Sequence, residues 1–260
     1  MTTAYLVLSL LSICATAMAL LPGRALGWWV PLWFLVSTAA NELAVWNVFG
    51  HLIWLGIGIV FLDSGTGVVQ LSLGVLLLSL LGVLTLLKRH LETGRLFERA
   101  LSTGLGANFE FAIPPDRLQH LSRQISARDW LHPLRFRRGG VRCQRDIAYG
   151  PAGKRNLLDV YTPLVEGDGR PVLLQVHGGA WLVGHKGEQA LPLMHHMAAL
   201  GWVVVAINYR LAPSATFPDP VVDVKRAIAW VRDNIADYGG DPRFIAITGG
   251  SAGGHLAALT

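Results

Sequence analysis

The sequence predicts an α/β domain with a mostly parallel sheet, preceded by N-terminal transmembrane helices. Three observations carry that reading. Hydrophobic residues make up 52% of the 260-residue chain and charged residues 15%, against roughly 25% charged in soluble domains; the mean hydropathy is +0.43. Residues 1–87 hold only Arg24, Glu42 and Asp63 as charged groups, so the front third has the composition of a lipid-embedded segment. From Val141 onward, short apolar runs alternate with helix-length segments, the pattern of strands joined by helical crossovers.

The apolar runs come first. Ala4 to Leu21 is an uncharged stretch of 18 residues closed by Pro22 and Gly23, and Gly67 to Leu87 is one of 21 that stops at Lys88-Arg89-His90. Each is long enough to cross a bilayer. Trp28 to Leu62, 35 residues interrupted by Asn41 and Glu42, is too long for one straight span and short for two, so residues 1–87 form three helices or four. A charged side chain at mid-bilayer costs about 2.5 to 3.5 kcal/mol, which favours Asn41-Glu42 near an interface or against another helix over a proton relay at Glu42. Trp28, Trp29, Trp33, Trp46 and Trp54 suit interfacial anchoring as well as packing. Ala15, Ala17 and Ala19 offer A-x-A cleavage patterns, but no Lys or Arg precedes the apolar run, so retention is the preferred reading.

Positive charge is concentrated just behind this region. Residues 88–155 carry 14 Lys/Arg against 6 Asp/Glu, while residues 156–260 carry 7 against 9. A basic block flanking an apolar segment has anionic lipid as its nearer partner, which argues against nucleic acid. Lys88, Arg89, Arg95 and Arg99 lie where positive residues are retained inside. The reading is therefore an integral protein of the plasma membrane whose C-terminal part is cytoplasmic. Residues 88–140 form a basic junction broken by Pro114-Pro115 and closed by Gly139-Gly140. It mixes Arg with Leu, Phe and Trp130, and reads equally as short linking helices, with Arg135, Arg137 and Arg138 solvated, or as an amphipathic collar on anionic lipid that also covers a substrate entrance. Cys14 and Cys143 have no metal-ligand spacing and read as small buried residues.

Within 141–260, Arg142–Tyr149 and Asn156–Tyr161 around Gly150-Pro151-Ala152-Gly153 read as a hairpin. Pro171–Val176 is a strand, Glu188–Leu200 a helix ended by Gly201, and Trp202–Asn208 a buried strand. A helix opens at Asp219-Pro220 with Val221, Val224, Ile228, Val231 and Ile235 on one face. Gly239-Gly240 end it, and Asp223, Asp233 and Asp237 read as its solvated residues. Phe244–Thr248 is a strand running into Gly249-Gly250-Ser251-Ala252-Gly253-Gly254, and His255–Leu259 begins a helix.

Three glycine motifs compete at that turn. A P-loop needs a lysine, and His255-Leu256 stand in its place; no register supplies G-x-G-x-x-G. Gly249, Ser251 and Gly253 do fit G-x-S-x-G, the elbow that holds a nucleophilic serine in a strained strand-to-helix turn. An attacked carbonyl needs backbone N–H donors aimed at its developing oxyanion, and His177-Gly178-Gly179-Ala180-Trp181 at a strand end is the loop type that supplies them, with the Ala252 N–H as partner.

With Leu158-Asp159-Val160-Tyr161-Thr162-Pro163, Asn208-Tyr209-Arg210-Leu211-Ala212-Pro213 and Phe217-Pro218, these residues resemble the serine esterases of the α/β-hydrolase superfamily, in the hormone-sensitive-lipase-like and bacterial feruloyl-esterase-like group. The resemblance covers about residues 141–260. It implies Ser251 as nucleophile, an oxyanion hole from Gly178, Gly179 or Ala180 with Ala252, and His177 as a loop-orienting residue supported by Trp181. It implies no metal and no cofactor, and a small acyl ester or lipid as substrate. The HGGAW form also resembles the loop of kynurenine formamidases, which keeps amide and formamide hydrolysis open beside acyl transfer; a non-catalytic binding module is the reading from another class. In this superfamily the chain order is Ser, then Asp or Glu, then His, and nine residues follow Ser251. The expectation is an incomplete α/β-hydrolase domain, truncated before its acid and base, with His255 packing rather than reacting.

Overall fold

Among the described residues, the apolar runs of the N-terminal third fold as helices. The computed structural model describes residues 1–21, 29–112, 131 and 139–260. The readings placed on Pro22, Gly23, Arg24, Trp28, Pro114, Pro115, Trp130, Arg135, Arg137 and Arg138 lie outside the described residues. The chain divides into a helical unit, Met1–Pro133, and a sheet unit, Leu134–Thr260.

The helical unit contains α1 (Thr2–Leu20), α2 (Val30–Glu42), α3 (Ala44–Phe61) and α4 (Gly67–Leu105). The ambiguous stretch before residue 62 is thus two helices meeting at Leu43. By length and composition α1, α3 and α4 could each cross a membrane; α2, with 13 residues, would rise only about 20 Å. Asn41 sits at a helix contact, its Oδ1 3.1 Å from His90 Nε2 on α4. The α4 helix passes through Lys88-Arg89-His90 without a break. Arg89 Nη1 donates to the Leu20 carbonyl at the end of α1, 3.4 Å away, where a cation suits the unsatisfied carbonyls. The two thiols do not share the burial expected of them: Cys14 lies exposed on the outer face of α1, and Cys143 is half-buried.

The sheet unit is built from β1 (Val141–Ala148), β2 (Leu157–Pro163), β3 (Arg170–Val176), α5 (Leu191–Ala199), β4 (Val203–Ile207), α6 (Asp219–Asn234), β5 (Gly240–Gly249) and α7 (Ala252–Ala258). The strands lie in the order β1-β2-β4-β3-β5. The expectation of a mostly parallel sheet is corrected: β1–β2 and β2–β4 pair antiparallel, while β4–β3 and β3–β5 pair parallel. The sheet is mixed because β2 returns from the hairpin and keeps that direction against β4, a partner more than forty residues away. The hairpin itself, around 150–153, is where the turn residues put it.

Both faces of the central strands are covered, which is why Val203–Ile207 reads as an unbroken apolar run. Val172, Leu174, Val176, Val203, Val205 and Ile207 pack with Val224, Ala227 and Val231 of α6 and Leu256 of α7. Leu173, Val204 and Ala206 pack on the other side with Met194 and Ala198 of α5. Full burial of each such aliphatic side chain is worth about 1.5 to 3 kcal/mol, so the centre of the sheet is its most firmly held part, and the loops leaving β3 and β5 start from it. The α5 helix begins at Leu191, three residues after Glu188, because Ala190 takes φ +57 and Pro192 occupies the first turn.

Candidate active site

The turn from β5 into α7 sets Ser251 at φ +51 and ψ −120, a backbone state that costs a residue with a Cβ about 1 to 3 kcal/mol and persists only where its surroundings enforce it. They do so on both sides. Gly253 N–H donates to the Gly250 carbonyl at 2.9 Å and His255 N–H to the Ser251 carbonyl at 3.0 Å. A Cβ on Gly253 would strike the carbonyls of Val176 and His177, the second at 2.6 Å, so only glycine lets α7 lie directly on the end of β3. Ser251 is exposed and makes no capping bond. Ala252, the first helical residue, has no intrahelical acceptor for its N–H. The sequence placed the G-x-S-x-G serine on such a turn, and the geometry is that of the turn it described.

The second loop leaves β3 next to it. A Cβ on Gly178 would come within 2.6 Å of the Gly250 carbonyl, so His177–Trp181 and the serine turn meet backbone to backbone. Gly179, Ala180 and Trp181 all take positive φ, +121, +52 and +60. The Gly179 carbonyl accepts from Leu182 and Val183 N–H at 2.9 and 3.0 Å, and the Trp181 carbonyl accepts from Ala212 N–H at 2.8 Å. Of the three candidate donors the Gly178 N–H is occupied, since it donates to Gln189 Oε1 at 2.8 Å. The N–H groups of Gly179 and Ala180 donate to no acceptor among the described residues.

His177 is 1% exposed and its ring stacks on Tyr209, centroids 4.3 Å apart. Its Nδ1–H donates to the Gly178 carbonyl at 2.8 Å, and Tyr209 O–H donates to the His177 carbonyl at 2.8 Å. Burial lowers the His177 pKa below the ordinary histidine value and pushes the Tyr209 phenol up to about 12. A neutral imidazole tied to its own loop can orient that loop; it is not presented to a substrate. His255 is exposed and meets the Trp181 ring edge-on, 5.3 Å between centroids.

Trp181 and His255 also wall a cavity of about 360 Å³ with Ala212, Ala215, Phe217 and Leu256. Its lining is almost wholly apolar, so it can take an alkyl or aryl group beside the serine turn. Arg210 fixes the segment that supplies much of this wall. Its Nε and Nη2 each donate to Asp223 at 2.8 Å, and its Nη1 lies 3.0 Å from Asp219 Oδ1. This corrects the reading of Asp223 as solvated: it is fully buried, whereas Asp233 and Asp237 are exposed. The buried face of α6 runs through Pro220, Asp223, Ala227 and Val231, and that spacing was available in the sequence.

Residues 158–260 match the BD-FAE family model. Esterase LipQ of Mycobacterium tuberculosis is 62% identical over 116 residues, which are 44% of this chain and 28% of LipQ. The probable carboxylic ester hydrolase LipM of the same organism is 45% identical over 196 residues, 70% of this chain and 42% of LipM; that stretch is longer than the whole sheet unit, so the likeness reaches into residues before Leu134. A probable isoprenylcysteine alpha-carbonyl methylesterase of Oryza sativa, ICMEL1, is 46% identical over 116 residues, 45% of this chain and 27% of its own length. The chain thus spans less than half the length of these relatives. Among solved structures, a bacterial heroin esterase is 34% identical, covering 50% of this chain and 43% of its own, with a TM-score of 0.43. Over the sheet unit the chain is thus similar in sequence to proteins named as esterases.

Two groups of residues that hold the His177 loop escaped the sequence reading. Gln189, which holds the Gly178 N–H, gave no signal. Lys186, 3% exposed, places Nζ 2.6 Å from Asp159 Oδ1 and 2.8 Å from Asp146 Oδ1, and its N–H donates to Asn208 Oδ1 at 2.8 Å. This buried pair pins the far end of the loop that begins at His177. Its signal was an acidic residue inside an otherwise apolar strand, Leu158-Asp159-Val160.

Proposed function

We propose that the sheet unit carries the nucleophile half of a carboxylic-ester hydrolase, with Ser251 attacking the acyl carbonyl. The observation that supports this best is the strained, exposed Ser251 on a turn in backbone contact with the His177–Trp181 loop. In this reading the Ser251 oxygen adds to the ester carbon and passes its proton to a base. The oxyanion is met by the Ala252 N–H together with those of Gly179 and Ala180, and collapse of the intermediate releases the alcohol and leaves an acyl group on Ser251. Water then frees the acid. The apolar cavity beside Trp181 receives the hydrocarbon part of the ester. Acid and base are assigned to no residue of 141–260; the chain order of the resemblance puts both C-terminal to Ser251. The names of LipQ, LipM and ICMEL1 support an ester over an amide or formamide.

The helical unit, in the same proposal, anchors the protein in a bilayer through α1, α3 and α4, with Lys88, Arg89, Arg95 and Arg99 holding the sheet unit on the cytoplasmic side. The deciding experiment is Ser251→Ala in the product of the reading frame that contains residues 1–260. Turnover of p-nitrophenyl esters and fluorophosphonate labelling are expected to fall by ~10⁴ to 10⁶-fold with the circular dichroism unchanged. Retention of turnover within about tenfold would overturn the nucleophile. Release from membranes by alkaline carbonate would overturn the anchor.

A further inference from the structure

The helical unit holds a polar cluster that the ester chemistry does not use. Ser12 and Thr16 of α1, His51 of α3 and Ser79 of α4 converge near the middle of their helices, and Thr16, His51 and Ser79 are 4%, 6% and 0% exposed. His51 Nδ1 lies 2.6 Å from the Asn47 carbonyl. A carbonyl only accepts, so Nδ1 carries the proton and Nε2 is left as an acceptor. Both Ser12 Oγ and Ser79 Oγ lie 2.8 Å from that nitrogen, while the Thr16 hydroxyl donates to the Ser12 carbonyl at 3.0 Å. Ser79 alone can therefore satisfy Nε2, and the Ser12 hydroxyl, 3.3 Å from Ser79 Oγ, can turn from that long contact to another acceptor without orphaning the imidazole.

There is somewhere for it to go. A partly open cavity of about 250 Å³ is walled by Ser12, His51 and Asn47 together with Leu8, Trp54 and Leu76. Asn47 donates Nδ2 to the Ala40 carbonyl at 3.0 Å, and its Oδ1 accepts from no donor among the described residues. Tyr5 and Ser9 also line the cavity, with their hydroxyl protons given to the Trp54 and Tyr5 carbonyls, so the donor the cavity offers is the Ser12 hydroxyl, beside Asn47 Oδ1 as an acceptor. A roomy space with polar walls takes a polar occupant. At about 30 Å³ per water-sized group it has room for about eight: a head group and the first methylenes of a chain. A charged head is excluded by the cost of placing it there, and a group that both donates and accepts matches the pair.

We propose that this cavity binds the hydroxyl or protonated carboxyl end of a single-chain lipid. These are the two kinds of product an ester yields on hydrolysis; that link rests on the reading of Ser251, and the binding does not. The test uses the product of the reading frame that contains residues 1–260, in phosphatidylcholine nanodiscs, with two photoreactive diazirine probes, a medium-chain alcohol and the matching acid, and maps the adducts by peptide mass spectrometry. Adducts are expected on α1 and α3 around Leu8 and Trp54. Ser12→Ala and Asn47→Leu should each lower them about fivefold, the worth of one net hydrogen bond. Gly50 also lines the cavity, and a Cβ there would meet nothing within 4 Å. Gly50→Leu therefore fills the space without touching the hydrogen bonds, and should abolish the adducts while the protein stays folded. Labelling by one probe alone supports the site and fixes its class. Ser251→Ala should leave the labelling unchanged, which separates this site from the ester chemistry. Adducts spread evenly over outward-facing residues, or undiminished in Gly50→Leu and Asn47→Leu, would overturn the proposal.

Discussion

The helical unit buries hydroxyls and an imidazole, Thr16, Ser79 and His51, whereas the sheet unit buries ion pairs, Lys186 against Asp159 and Asp223 against Arg210. The contrast follows from what each backbone leaves undone. A helix pairs its own N–H groups, so side chains in the bundle are left with second lone pairs of carbonyls and with one another as partners. The register shift inside β1 and the loop leaving β4 have donors left over, and the buried carboxylates collect them: Asp159 accepts the Asp146 N–H at 2.9 Å and Asp223 the Arg210 N–H at 3.0 Å. Buried charge in this protein marks the places where a loop is fastened.

If that is right, the two units should respond very differently to losing one polar group. Asp159→Ala strands the Lys186 ammonium beside a single exposed partner, Asp146, and is expected to lower stability by about 3 kcal/mol in urea unfolding, at the low end of what breaking a buried ion pair costs. A loss below about 1 kcal/mol would mean that Lys186 escapes to solvent and that the contrast is overdrawn. Gln189→Ala frees the Gly178 N–H and loosens the loop against Ser251; turnover should fall between about tenfold and a hundredfold with stability little changed. An unchanged rate would show that backbone contact with Gly250 alone positions the loop. Ser79→Ala, the counterpart in the bundle, should cost only about 0.6 to 1.7 kcal/mol, because an imidazole in an apolar unit finds a second hydroxyl, here that of Ser12. The smallest effect concerns acid. Since burial holds the folded His177 below its ordinary 6.5, the unfolded chain takes up that proton first as the pH falls. The stability of the neutral ring is complete above about pH 6.5 and is lost as the pH falls below it toward the folded value. Melting temperatures measured from about pH 7.5 to 5 should decline, and His177→Gln should flatten that decline. Parallel curves would assign the acid sensitivity elsewhere.

What the sequence disclosed depended on how local its signal was. The serine turn, the hairpin around 150–153 and α6 are each written in a few neighbouring residues, and their places follow from glycine spacing or one helical period. The direction of β2 against β4 is a pairing between Leu158 and Ile207, which no local pattern encodes, and so the sheet was expected to be more parallel than it is. Asp223 was misread because its charge outweighed its position on the buried face of α6. The His51 cluster is assembled from single residues on three helices, each unremarkable in its own apolar run. Gln189 lies eleven residues from the N–H it holds, in a stretch with no pattern to flag it.

The seam where Gly178 meets Gly250 and Gly253 meets the end of β3 has main chain on both sides. A contact made without side chains gives point mutation nothing to adjust, only something to destroy. Variation must then enter through the neighbouring cavity wall, where Ala212 and Ala215 leave room for bulk beside Trp181 and Phe217. The seam is frozen and the wall is free to drift. A lineage built on this arrangement can exchange one ligand shape for another while its serine turn stays as it was.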